Sequence, residues 1–111
     1  MLVIRTAQMN TMARALAENF RLRLEWTICA TLRERGLDPD EQRLRIEVGR
    51  ALEWSSGLKF ERSDTERLAE IVCRRFGGFP NGPLPKPAMK VLYRRELPPP
   101  ERLSRLEAVE I

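Results

Sequence analysis

Between Thr6 and Arg35, apolar residues recur at Met9, Met12, Ala13, Leu16, Ala17, Phe20, Leu24 and Ile28. This is the alternating three- and four-residue spacing of one helical face. The stretch holds neither Pro nor Gly, and Ala, Leu, Met, Arg and Glu, which lose little on entering a helix, dominate it. A helix over about residues 6–35 follows, on the order of 45 Å long at roughly 1.5 Å per residue. Thr6 is its expected N-cap, and Leu2–Ile4 a short extended lead-in. No later segment is as long, so the rest of the chain is expected to pack on this helix.

The remaining pattern is punctuated by caps and breakers. Gly36 closes the first helix. Asp38 then reads as an N-cap, with Pro39 at the first helical position and Glu41 completing a box, which predicts a second helix over 39–55 stopped by Gly57. Its apolar face is Leu44, Val48, Ala51 and Leu52, with Ile46 and Trp54 to the side. The short connection makes these two helices an antiparallel hairpin. Leu58–Phe60 should plug the bundle. Ser63 and Glu66 form a capping box before a third helix over 64–76 that buries Leu68, Ala69, Val72 and Phe76 and ends at Gly77 and Gly78. Pro80, Pro83 and Pro85 exclude helix from the next loop. Pro87 can open a fourth helix reaching Arg95, packed through Met89, Val91, Leu92 and Tyr93. After Pro98–Pro100, a last helix over 101–108 faces inward with Leu103 and Leu106. The reading is one all-α domain over residues 1–111, a small bundle of four to five helices.

Composition narrows the chemistry. The 111 residues contain no histidine, which removes Ser–His and Cys–His pairs, imidazole proton transfer and most zinc or iron sites. No serine stands in a GxSxG elbow, and there is no P-loop or GxGxxG. A non-enzymatic protein with no cofactor is expected. Cys29 and Cys73 lack metal-ligand spacing and read as small buried hydrophobes. No run approaches a membrane span, and Met1–Ile4 lacks the parts of a secretory signal. A cytoplasmic protein is expected. Lysine and arginine number 20 against 16 acidic residues, a net charge of +4. Most of these charges interleave as on a solvated helix surface.

Two stretches are candidate partner surfaces. Leu22, Trp26 and Cys29 form a second apolar set on the flank of the first helix. Either other helices bury them, or they belong to a partner or homodimer surface, where aromatics concentrate. Between Glu70 and Glu96 there is no acidic residue, while Arg74, Arg75, Lys86, Lys90, Arg94 and Arg95 are basic and Phe76, Phe79 and Tyr93 add aromatic rings. Such a segment can dock an acidic protein surface or hold single-stranded nucleic acid. It can equally be a solvated edge that complements glutamates elsewhere in the fold.

Residues 1–9 (MLVIRTAQM), followed by Ala15–Phe20, resemble a family of small, all-helical bacterial proteins that open on an apolar triplet, Arg and then Gln-Met. Gly57–Asp64 resembles their connector before the next helix. Phe76–Pro80, Lys86–Leu92 and Leu97–Leu103 resemble their proline-punctuated end. Genes of that family lie in type VI secretion neighbourhoods, beside PAAR or VgrG spike proteins and toxic effectors. The resemblance implies a protein-binding accessory role, a chaperone or loading adaptor for a secreted toxin. The alternatives are an immunity protein that blocks the toxin, or a small nucleic-acid-binding protein using residues 71–95. One departure stands out. Where members often carry His-Leu-Arg-x-x-Phe-Pro late in the first helix, this chain has Thr27–Arg35 (TICATLRER), so a partner that reads that stretch differs here or binds otherwise.

Overall fold

The computed structural model describes the backbone of residues 2–110 and the side chains from Arg14 to Glu110. Helix α1 spans Leu2–Glu34, α2 Glu41–Leu58, α3 Arg62–Phe76, α4 Lys86–Leu92 and α5 Pro99–Ala108, with no strand among the described residues. The bundle is therefore all-α. α1 packs on α2 and α3, α3 also touches α2 and α5, and α4 lies on α5. The long helix gives the molecule its 57 × 37 × 20 Å shape. The helix at the centre is α3, which buries Leu68, Ala69, Ile71, Val72 and Cys73.

Core positions follow the predicted faces, with one large exception. Leu24, Ile28 and Leu32 of α1 are fully buried and belong to one core with Val48 and Ala51 of α2, the α3 set, Ala88 and Leu92 of α4, and Leu103 and Leu106 of α5. Toward the amino end, however, Leu16 is 55% exposed and residues 14–19 all face solvent. Among the described residues of the α1 stripe, burial begins at Phe20. Tyr93, just after α4, is exposed, whereas Ala88 takes an inward position in the helix. The stripe residues before Arg14 lie outside the described side chains.

Several helix ends move relative to the sequence expectation. α1 is helical from Leu2 instead of opening at Thr6. Without Pro or Gly nearby, the β-branched Val3 and Ile4 oppose helix by only about 0.5 kcal/mol each. α2 starts one position after Asp40, whose carboxylate accepts from the Arg43 N–H at 2.7 Å. Asp38 and Pro39 therefore precede the cap. Gly57 does not stop α2. Lys59 takes the left-handed position (φ 58°) and Phe60 N–H reaches Ser55 O at 2.9 Å. Running one turn further buries Leu58 and packs Phe60 on the core, which outweighs the helical cost of glycine. α3 is capped two residues earlier than expected, with Asp64 accepting from the Glu61 N–H at 3.2 Å. α4 ends at Leu92, where Arg102 captures the last carbonyl at 3.2 Å. α5 starts at Pro99. Gly36 and Gly77 close α1 and α3 at positive φ, as expected.

The misplaced glycine supports a direct test. Moving it with Gly57→Ala and Lys59→Gly should raise stability by about 0.5–1 kcal/mol for each change. A Cβ at Gly57 meets nothing within 4 Å. A urea midpoint below that of the parent chain would contradict this cap.

Arginine side chains tie elements to main-chain carbonyls. Arg35 reaches Arg74 O at 2.8 Å, Arg43 reaches Gly77 O at 2.7 Å and Arg50 reaches Phe79 O at 2.8 Å. Arg75 reaches Leu106 O at 2.7 Å, while buried Arg102 also donates to Leu97 O at 2.9 Å. Between Arg43 and Arg50, the buried Glu47 carboxylate accepts from the Phe79 N–H at 2.6 Å. One face of α2 thus holds the Gly77–Phe79 loop by its backbone.

Candidate functional site

The flank of α1 that carries Leu22 and Trp26 has no helix over it. Trp26 is 74% exposed and Leu22 52%, while Cys29 is half-buried. Of the two sequence readings, burial by neighbouring helices is therefore the incorrect one. α1 supplies one flank of the bundle and packs on α2 and α3. Leu22, Arg23, Trp26, Thr27 and Glu66 line a shallow hollow of about 320 Å³. Its base is fixed, because Glu66 accepts from Arg23 at 3.1 Å and from the Thr27 hydroxyl at 3.3 Å. Thr31 in turn donates to Thr27 O at 2.7 Å. An indole is amphipathic and has few rotatable bonds to order, and here it stands exposed on a braced helix.

The basic segment is divided between internal ties and solvent-exposed cations. Phe79 is 2% exposed and packs edge-on against Trp54 with ring centroids 5.8 Å apart. It is a core residue and offers no face to a partner or a base. The signal missed in the sequence was the loop's need for an apolar plug beneath its prolines. Arg74 pairs with Glu70 at 2.9 Å and Glu107 at 2.7 Å, and Arg75 is committed to the α5 end. Arg94 pairs with Glu96 at 2.7 Å, and that hydrogen bond holds the Glu96 carboxyl below its usual range. Lys86, Lys90 and Arg95 remain exposed with no ion pair among the described residues. Two of the six cations are thus the complement of glutamates in the same chain.

Cys73 is fully buried, and burial pushes its thiol up to about 12. It is a packing residue, inert as a nucleophile. Among the described residues, no three His, Cys, Asp or Glu side chains gather as metal ligands, and no helix is long and apolar enough to cross a membrane.

A second concavity was not foreseen from the pattern. Where the amino-terminal part of α1 leaves the bundle, Ala17 and Phe20 face Leu52 of α2 and Phe60 of the connector across an open groove of about 710 Å³. Arg14, Glu18, Arg21 and Arg62 also line it, with Ser55, Ser56 and Thr65. Its residues come from three elements distant in sequence, so no local motif announces it. No protein-family profile matches the chain, and neither a curated protein nor a solved structure proves similar to it.

Proposed function

We propose that this chain is a non-enzymatic protein-binding accessory protein, a chaperone or loading adaptor for a secreted bacterial toxin. The observation that carries the binding role is Trp26, mostly exposed beside Leu22 on a helix braced by Glu66. The class of partner rests on the resemblance of Met1–Met9, Phe76–Pro80 and Lys86–Leu92 to the family encoded near type VI secretion genes.

The test is affinity purification of the tagged chain co-expressed with its genomic neighbours, followed by mass determination of the complex. A toxin or spike subunit should co-purify. Trp26→Ala should weaken that complex by about 30-fold or more, the effect of a central aromatic anchor, while the far-ultraviolet helix signal stays unchanged. Equal recovery with Trp26→Ala would sink this surface, and a chain that captures no neighbour would sink the reading. A growth assay separates the roles. A loading adaptor leaves cells sensitive to the toxin, whereas an immunity protein rescues them.

A further inference from the structure

We propose that the groove between α1 and the α2–α3 corner is a second binding site, and that it receives an acidic amphipathic helix from a partner protein. It lies roughly 120° around α1 from Trp26, counting about 100° per residue from Phe20. It is therefore a different surface from the one assigned above.

The floor is apolar. Ala17, Phe20, Leu52 and Phe60 face one another across about 710 Å³. A cavity of about 150 Å³ holds one benzene-sized group, so this one takes several side chains, as a two-turn helix face presents. An extended occupant is favoured because one wall does not end with the groove. Helix α1 continues back to Leu2, a rail on the order of 27 Å beyond Phe20.

Charge selects the occupant. Arg14, Arg21 and Arg62 stand at the rim against one carboxylate, Glu18. Among the described residues none of these four forms an ion pair. Arg62 instead lies over the Phe20 ring, 5.5 Å from its centroid, so apolar floor and positive rim are one continuous structure. An acidic helix meets three guanidiniums that form no ion pair among the described residues. A second copy of this chain brings the wrong charge, since its own first 21 residues carry Arg5, Arg14 and Arg21 against Glu18. Like charges across such a contact oppose it.

The probe is a dye-labelled 18-residue peptide with leucines on one helical face and glutamates elsewhere, and a twin with lysine in place of glutamate. Both are titrated by anisotropy against the full chain. The glutamate peptide should bind at least ten-fold tighter, and more weakly as salt rises. The triple variant Arg14→Glu, Arg21→Glu, Arg62→Glu alters only exposed positions and should reverse the preference. Trp26→Ala should leave it unchanged, which separates this site from the flank. Equal affinity for both peptides, or a preference that survives the triple reversal, overturns the proposal. So does a chain that dimerises in sedimentation and becomes monomeric with Ala17→Glu, a change in the groove itself, since the groove is then filled by its own copy.

Discussion

Gly78→Ala is expected to cost roughly 2–4 kcal/mol of stability, read as a lower urea midpoint with an unchanged slope. Gly78 sits at φ 127°, and a Cβ built there lies 2.7 Å from Glu47 Oε1. The carboxylate cannot simply move aside. It is 3% exposed, and its other oxygen holds the buried Phe79 N–H at 2.6 Å. Displacing it leaves a buried donor without an acceptor, itself a loss of about 1–3 kcal/mol. Gly82 is the control, because a Cβ there meets nothing within 4 Å. Gly82→Ala should fall within about 0.5 kcal/mol of the parent. If the two glycines tolerate alanine equally, Glu47 does not clamp this loop.

The second large effect compares two leucines of one helical stripe. Leu24→Ala removes a side chain with no solvent exposure and should cost about 2–5 kcal/mol through lost burial and the cavity left behind. Leu16→Ala, two turns earlier, touches a residue that is 55% exposed and should cost less than about 0.5 kcal/mol. Denaturation of both variants under one condition reads the difference directly. Similar losses would mean that the amino-terminal part of α1 is covered by something in the folded chain.

That comparison also shows where sequence reading stopped. The repeat from Met9 to Ile28 says that one face is apolar, but not how far along it other helices reach. With five helices and a short α4, the bundle runs out near Phe20. Helix number and order were legible because Gly36, Gly77 and the proline clusters act locally. The α3 cap was legible in kind and wrong in place. Ser63 with Glu66, and Glu61 with Asp64, are equally spaced boxes. What favours the second is that Glu66 serves Arg23 and Thr27 of α1, a contact 39 or more residues away in sequence. Phe79 failed for a similar reason. Nothing near it reveals that Arg43, Glu47 and Arg50 draw its loop onto α2. The exposed Trp26 was one of two readings that sequence left open, and the Phe20–Leu52–Phe60 groove was not legible at all.

The arginine ties to main-chain carbonyls carry a consequence for the conditions the fold tolerates. A guanidinium keeps its proton at any pH a cell meets, and a peptide carbonyl has none to gain. The bonds of Arg35, Arg43, Arg50, Arg75 and Arg102 to backbone oxygen therefore involve no titrating group. The sequence has no histidine, the side chain whose ordinary pKa makes proteins responsive near neutrality. An acidity swing of one or two pH units around neutral leaves every one of these ties charged and in place.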